Sequence, residues 1–214
     1  GLMAHADLFL SDSEYTDRAL RDRLARQGRA TPSRVVPLAH ERARRAAEPV
    51  RNEIAALAAE DFVLCVGRIE PRKNLVMLVR VWLALAREMG ARIPRLVLAG
   101  RANARDILAD LEAAARAAPE LVHLVASPND TELARLYAAC RFTVYPSLHE
   151  GWGLPVGEAA SFGKLTAASR ATSIPEVVGP LAVYFDPHDA ADMRAVLQRL
   201  VGAPEELAAR EARL

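Results

Sequence analysis

Two carboxylates, Glu150 and Glu158, have seven residues between them and flank a turn that contains glycine. The turn follows the apolar run at residues 142–145 and precedes residues with helical propensity, so we predict a strand, a loop and a helix in that order. Gly151 and Gly153 would let a ligand approach the main chain, and the free N–H groups of a helix N-terminus suit an anion. The pattern indicates a pocket in which the two carboxylates contact different parts of one ligand.

The same residues also have a purely structural interpretation. We place Pro155 at the first position of the helix, so that Glu158 falls in its first turn, where an acid is favoured by the helix dipole. Glu150 would then be a solvated side chain of the loop. His149 either contacts a ligand or is incidental to the loop, and Trp152 is expected to pack the loop. The spacing alone leaves both interpretations open.

Three cationic residues follow the apolar run at residues 62–66. They are Arg68, Arg72 and Lys73, near the start of a helix whose first residue we place at Pro71. Cations in a first helical turn oppose the dipole by roughly 0.3 to 1 kcal/mol each, so they do not serve helix stability. A diphosphate bound there would explain them, because it takes both cationic contacts and helix N–H groups. The alternative is a solvated basic loop on an arginine-rich protein.

Six apolar runs from residue 61 onwards alternate with helical segments, which predicts an α/β fold with a Rossmann-like, doubly wound, six-stranded parallel sheet. The strands are placed at residues 62–66, 95–99, 122–126, 142–145, 165–168 and 182–185, and the helices at 75–89, 104–117, 130–139, 155–162, 174–178 and 190–200. The usual strand order, 3-2-1-4-5-6, puts the ligand crevice at the ends of strands 1 and 4. We therefore expect the cationic loop and the acidic loop to be neighbours.

The N-terminal part of the chain differs from this pattern. Apolar runs at residues 8–10 and 35–36 flank a predicted helix at residues 15–27, and together they lack a complete core. The stretch from residue 41 to residue 60 has helical propensity but is mostly charged or alanine. We place a linker or domain boundary within it, near residue 45.

The composition excludes several functional classes. There are 28 basic and 27 acidic side chains, so no concentrated basic face points to nucleic acid or an anionic membrane as the main partner. No apolar run approaches the roughly 20 residues that span a bilayer, and the N-terminus does not resemble a signal peptide.

Cys65 and Cys140 lie in or beside apolar runs, and we expect them to be buried free thiols in a reducing cytosol. The glycine fingerprints of dinucleotide sites and P-loops are absent.

Three ordered motifs resemble the C-terminal, donor-binding domain of retaining GT-B glycosyltransferases of the group 1, family four type, which includes bacterial mannosyltransferases of lipopolysaccharide and polysaccharide assembly. The motifs lie at residues 67–74, 145–159 and 173–177, and the resemblance covers about residues 60 to 200. It implies one half of a GT-B fold and transfer of a hexose, with retention, from a nucleoside diphosphate sugar to a glycan or lipid-linked acceptor. GDP-mannose is the donor that the resemblance suggests.

The resemblance also implies roles for individual residues. Arg68 and Lys73 would bind the donor diphosphate, Glu150 the transferred sugar and Glu158 the ribose, while residues 125–127 would meet the base. The expected catalytic residues are Glu150, Arg68 and Lys73. The expected donor-binding residues are Gly67, Arg68, Lys73, Val125, Glu150, Gly151, Gly153, Leu154 and Glu158. The family uses no metal, and we expect neither a metal nor a cofactor here.

The chain departs from the family pattern in three respects. Gly157 stands where a larger apolar residue is common, and Lys164 lies in a segment that replaces the usual Gly-x-Pro-Val; both are expected to weaken local packing. The third departure is length. Residues 1 to about 40 resemble only the last segment of the acceptor-binding domain, in which residues 12–16 match a usual motif. We therefore expect residues 1–45 to be a remnant of that domain with the linker, and residues 46–214 to be the nucleotide-sugar-binding domain.

We therefore expect an incomplete and inactive fragment, cytoplasmic, with at most a peripheral association with the inner face of the membrane. The acceptor would be bound through the missing N-terminal domain. Two other functions fit the same residues. One is a nucleotide-sugar epimerase of the same two-domain fold, and the other is a non-catalytic module that binds sugar nucleotides.

Overall fold

The computed structural model describes residues 6–40 and 48–214, and its N-terminal segment contains two short strands and a helix. These are β1 (Phe9–Ser11), α1 (Glu14–Arg26) and β2 (Ser33–Val35), with β1 and β2 paired in parallel. The hydroxyl of Ser13 caps α1 by accepting a hydrogen bond from the Thr16 N–H at 3.0 Å. Several large apolar side chains of this segment are exposed, namely Leu8, Leu10, Val36 and Leu38.

The rest of the described chain alternates strands with helices. The strands are β3 (Phe62–Val66), β4 (Arg95–Gly100), β5 (Val122–Ala126), β6 (Thr143–Tyr145), β7 (Thr166–Ser169) and β8 (Val183–Phe185). The helices are α2 (Asn52–Leu57), α3 (Leu75–Met89), α4 (Arg105–Ala117), α5 (Asp130–Ala139), α6 (Leu154–Ser161), α7 (Ile174–Val178), α8 (Ala190–Gly202) and α9 (Pro204–Glu211). The predicted strand bounds are within one residue of the observed ones. Helix α9 was not predicted, and the predicted boundary near residue 45 lies outside the described residues.

The six strands form one parallel sheet in the order β5-β4-β3-β6-β7-β8. This is the order 3-2-1-4-5-6 that the alternation predicted, so the α/β fold class is confirmed. Strand β3 pairs with β4 on one side and with β6 on the other. The winding therefore reverses between β3 and β6, and the loops that follow these two strands leave the sheet side by side.

Both faces of the sheet are covered, and the alternation of side chains along β3 shows how. Val63 and Cys65 pack in the core formed mainly with α3, α4 and α8. Phe62 and Leu64 pack on the opposite face with residues of α2, α5 and α6. Because successive side chains of a strand point to opposite faces, a strand covered on both sides must be apolar throughout. Cys65 and Cys140 are buried free thiols, as expected.

The predicted helix start at Pro71 is wrong. Residues Pro71–Lys73 form a single 3-10 turn, and Asn74 has a left-handed backbone with φ of 57°, which ends that turn before α3 begins at Leu75. Asparagine tolerates this conformation better than most residues with a Cβ. Arg72 and Lys73 therefore lie ahead of α3 and are not in its first turn.

Among the described helices, none is long and apolar enough to cross a membrane.

Candidate functional site

The loops after β3 and β6 contact each other directly. The Leu148 N–H donates to the carbonyl of Arg72 at 2.8 Å, and the Arg72 guanidinium donates to the carbonyl of His149 at 3.0 Å. The prediction that these two loops are neighbours is confirmed. Both leave the carboxyl end of the sheet, where parallel strands direct their C-terminal loops to a common edge.

Glu150 is the residue through which the two loops are joined. Its side chain is buried, and its Oε1 lies 2.5 Å from the Lys73 ammonium and accepts a hydrogen bond from the Ser147 hydroxyl at 2.6 Å. Its Oε2 lies 2.5 Å from the Arg72 guanidinium. Both carboxylate oxygens are thus engaged by cations of the first loop, so Glu150 is not the solvated side chain of the structural interpretation.

The contacts around Glu150 determine the protonation states of Glu150 and Tyr145. Burial alone would raise the pKa of Glu150, but Lys73, Ser147 and Arg72 together lower it, so the carboxylate is ionised at neutral pH. Tyr145 accepts a hydrogen bond from the Lys73 ammonium at 2.7 Å, and burial raises the pKa of its phenol. The tyrosine therefore remains neutral and supports Lys73 as an acceptor.

Lys73 and Arg68, the two residues that were expected to bind the diphosphate, have different surroundings. Lys73 is only 6% exposed, and its side chain packs over Gly67. A Cβ added at Gly67 would lie 3.5 Å from the lysine Cε. Arg68 is exposed and forms no ion pair or side-chain hydrogen bond with the residues that the structure describes. The guanidinium of Arg68 is thus accessible to a ligand at the same edge as the buried Glu150–Lys73 pair.

The predicted position of Glu158 in the first helical turn is wrong. Helix α6 begins at Leu154, with Pro155 as its second residue, so Glu158 is the fifth residue and lies in the second turn. Its carboxylate accepts a hydrogen bond from the hydroxyl of buried Tyr137 at 2.9 Å. Glu158 and Glu150 therefore have different partners, and Glu158 does not serve the helix terminus.

The remaining predicted donor-binding residues lie at the same edge, with Val125 near the end of β5, Gly151 and Gly153 in the loop after β6, and Leu154 at the start of α6. Gly153 adopts φ of 112° ahead of α6, where a residue with a Cβ would be strained, and the Leu154 side chain is 40% exposed. The Val125 side chain is buried in the core, whereas Ala126 and Ser127, which follow it, are exposed. At this end of β5, the residues after Val125 are therefore the ones that face solvent. Trp152 is buried, as expected.

The N-terminal segment contacts the acidic loop, and sequence reasoning did not anticipate this. The Glu176 carboxylate accepts hydrogen bonds from the N–H groups of Glu14 and Tyr15 at 2.7 and 2.9 Å. The Thr16 hydroxyl donates to the Gly151 carbonyl at 3.3 Å. Glu176 thus caps the first turn of α1 and helps to hold that helix beside the loop that contains Glu150.

Gly157 does not leave the gap that was expected from its small size. A Cβ at this position would lie 2.3 Å from Cγ of His40, so the imidazole ring packs directly on the glycine backbone. The expectation of weakened packing at Gly157 is therefore wrong. The residue that compensates lies more than a hundred positions earlier in the chain, so no local pattern could have indicated it.

The site also contains residues that sequence reasoning did not select. They are Tyr145, Ser147, Thr172 and Ser173, all of which contact Glu150 or its partners. Ser147 lies in a loop that was singled out, so its polar type was the available signal. Arg72 was named as one of the three cations but was not assigned a role, and it contacts Glu150. Within residues 6–40 and 48–214, no group of three acidic, histidine or cysteine side chains is arranged to hold a metal ion.

The family described as "Glycosyl transferases group 1" matches residues 48–212. Among curated proteins, the chain is 37% identical over 142 residues to a serotype-specific mannosyltransferase WbdA of Escherichia coli, a match that covers 65% of this chain and 17% of that protein. It is 38% identical over 145 residues to the O-antigen chain mannosyltransferase B of Escherichia coli, covering 67% of this chain and 38% of that protein. The matches thus span well under half the length of these relatives.

Solved structures resemble the fold. A structure titled "Trehalose-6-phosphate from E. coli bound with UDP-2-fluoro glucose" superposes with a TM-score of 0.78 at 17% identity, covering 96% of this chain and 55% of that chain. At this identity the likeness concerns the fold alone. The family match covers the whole parallel sheet and both loops that meet at Glu150. The chain therefore belongs to the group 1 glycosyl transferases.

Proposed function

We propose that this chain is the donor-binding part of a glycosyltransferase that moves a hexose, with mannose as the favoured sugar, from a nucleoside diphosphate sugar to a glycan or lipid-linked acceptor. One observation carries the proposal: a basic loop and an acidic loop meet through the Glu150–Lys73 ion pair at the carboxyl edge of β3 and β6. The family membership and the two mannosyltransferase relatives support it.

We assign the residue roles by analogy with the family. Arg68 and Lys73 neutralise the diphosphate, and their effect grows as negative charge develops on the departing nucleotide. Glu150 keeps Lys73 and Arg72 at the site and orients the sugar, and Glu158 binds the ribose. Retention of anomeric configuration and the absence of a metal are part of the proposal by analogy with the family.

The main-chain groups of the acidic loop complete the proposed donor site. Gly151 and Gly153 allow a ligand to approach the backbone, and the N–H groups at the start of α6, next to Leu154, favour an anion. We assign acceptor binding to a separate N-terminal domain of the kind that the family resemblance implies. Residues 1–214 alone are expected to bind the donor without transferring the sugar, and measurable transfer by this chain alone would contradict that expectation.

Calorimetry with GDP, UDP and ADP sugars tests the proposal. Wild type is expected to bind one of them, and Arg68→Ala to weaken that affinity roughly ten- to a hundredfold, the range for a charge-assisted contact to phosphate. Arg80→Ala is the matched control, because Arg80 is an exposed arginine within α3. Equal affinities for wild type and Arg68→Ala would remove the diphosphate role of Arg68.

A further inference from the structure

Backbone strain is concentrated at the edge of the sheet that carries the site. Among the residues that the structure describes, three residues other than glycine have positive φ: Asn74 at 57°, Ser127 at 46° and Thr172 at 55°. They follow β3, β5 and β7, so all three lie in loops at the carboxyl edge. Strained residues of this kind persist where surrounding contacts hold them, and they cluster at functional sites.

Thr172 is the least suited of the three to this conformation. Its branched Cβ makes a left-handed backbone a clear outlier, whereas asparagine adopts it routinely. The strained backbone places the Thr172 hydroxyl where it accepts a hydrogen bond from the N–H of Glu150 at 3.0 Å. The strain at Thr172 is therefore linked to a contact with the central carboxylate residue of the site.

The next residue contacts the other main-chain polar group of Glu150, its carbonyl. Ser173 is fully buried, and its hydroxyl lies within donating distance of the Glu150 carbonyl at 3.0 Å and the Trp152 carbonyl at 3.2 Å. Consecutive residues of one loop thus bind both the N–H and the carbonyl of Glu150. Few orientations of that residue satisfy both contacts.

The orientation of Glu150 matters because its carboxylate is shared. One oxygen meets Lys73 and the other meets Arg72, each at 2.5 Å. Charge-assisted contacts of this kind depend strongly on distance and angle, so a small displacement of the Glu150 backbone would disturb both cations. Groups that contact a ligand keep their geometry only when a supporting shell holds them.

We propose that Thr172 and Ser173 are positioning residues for Glu150, which they hold by its main-chain N–H and carbonyl so that its carboxylate keeps Lys73 and Arg72 aligned for the diphosphate. This inference rests on the proposed function, because its effect is measured on nucleotide binding. Neither residue is expected to touch the nucleotide.

The test compares two substitutions at Thr172 that differ in the hydroxyl. Thr172→Val keeps the branched shape and removes the acceptor of the Glu150 N–H, and Thr172→Ser retains a hydroxyl. With GDP-mannose and GDP as calorimetric probes, Thr172→Val is expected to bind roughly five- to tenfold more weakly than wild type, the value of one lost hydrogen bond. Thr172→Ser is expected to restore most of the affinity.

Two further variants separate positioning from folding. Ser173→Ala removes the hydroxyl near the Glu150 carbonyl and is expected to weaken binding by a similar factor, which gives a second measure if Thr172→Val does not fold. Tyr184→Phe is the matched control. It removes a hydroxyl that donates to the Gly179 carbonyl at 2.6 Å, near α7, and it should change thermal stability without changing affinity.

The outcomes distinguish this inference from the proposed function. If wild type binds nucleotide while folded Thr172→Val and Ser173→Ala bind it equally well, the positioning role is overturned and the donor site stands. Equal weakening by Thr172→Val and Thr172→Ser would overturn the role of the hydroxyl. If wild type binds no sugar nucleotide, the proposed function fails and the positioning role fails with it.

Discussion

The Glu150 carboxylate already has cationic partners within the protein. Both of its oxygens are engaged by Lys73 and Arg72, and because Glu150 and Lys73 are buried, the charge of each is stabilised mainly by its partners. If the proposed diphosphate binds here, we expect it to compete with Glu150 for the same cations. We expect this competition to free the carboxylate for the sugar at the moment when the phosphates engage Lys73.

Lys73→Met is expected to lower the free energy of unfolding by about 2 kcal/mol at pH 7, because it leaves a buried carboxylate without one of its two cations. The loss is smaller than for an isolated buried pair, since Arg72 and Ser147 still contact Glu150. Urea denaturation measures it. Lys164→Met is the control, because Lys164 is the only other lysine in the chain and is absent from the site.

A double-mutant cycle with Glu150→Gln checks the cause of that loss. If the ion pair is responsible, the two substitutions together cost less than the sum of their separate effects. Strict additivity would show that Lys73 acts through other contacts, such as that with Tyr145.

At the scale of elements, the N-terminal segment is attached to the larger sheet at points close to the site. The Glu176 carboxylate caps α1, Thr16 contacts the Gly151 carbonyl, and His40 packs on Gly157 of α6. The last of these contacts requires glycine, because the ring occupies the place of a Cβ. Replacing that glycine therefore tests whether the segment is held as the structure shows.

Gly157→Ala is expected to destabilise the protein by about 1 to 3 kcal/mol, because the added Cβ overlaps the His40 ring. In a His40→Ala background the sign should reverse. There, alanine meets no ring and improves helix propensity by about 0.5 to 1 kcal/mol. Thermal or urea unfolding of the four proteins measures both effects. Gly157→Ala destabilising equally in both backgrounds would contradict the packing of His40 on α6.

At the scale of the whole molecule, a second carboxylate links the segment before α2 to residues at the carboxyl end of the sheet. The Arg51 guanidinium donates to both oxygens of buried Glu132, at 2.8 and 2.9 Å, and to the carbonyl of Ala126 at 3.2 Å. Asn129 and Glu132 also form a capping box at the start of α5. One ion pair thus joins the residue before α2 to the end of β5 and the start of α5.

This pair predicts a specific response to acid. The hydrogen bond from Arg51 lowers the pKa of Glu132 from 4.5 to about 2. Because the folded pKa is below the unfolded one, the stabilisation is complete above pH 4.5 and is lost as the pH falls towards 2. Arg51 is partly exposed, so we expect a contribution of only about 2 kcal/mol.

Glu132→Gln should reduce stability at pH 7 and flatten the decline in unfolding free energy between pH 4.5 and pH 2. Glu112→Gln is the control, since Glu112 forms an exposed pair with Arg116 within α4 at 3.6 Å. Chemical denaturation at several pH values measures both. An unchanged slope for Glu132→Gln would refute the assignment of the acid response to this pair.

Local patterns in the sequence were sufficient for much of this fold. Apolar runs such as residues 62–66 and 122–126 coincide with strands because a strand covered on both faces must be apolar at every position. The alternation of strands and helices led to the strand order, and the order placed the loops of Lys73 and Glu150 together. The break at Asn74 was missed because a left-handed residue depends on the contacts around it.

The sequence by itself determined the α/β alternation, the edge of the sheet where the site lies and the charged residues that meet there, because these follow from periodicity, chain direction and charge. Tertiary structure alone decided which atoms face each other: Glu150 with Lys73 and Arg72, Glu158 with Tyr137, and His40 on Gly157. These pairs join residues distant in the chain. Such contacts arise from the packing of whole elements, and no local propensity encodes them.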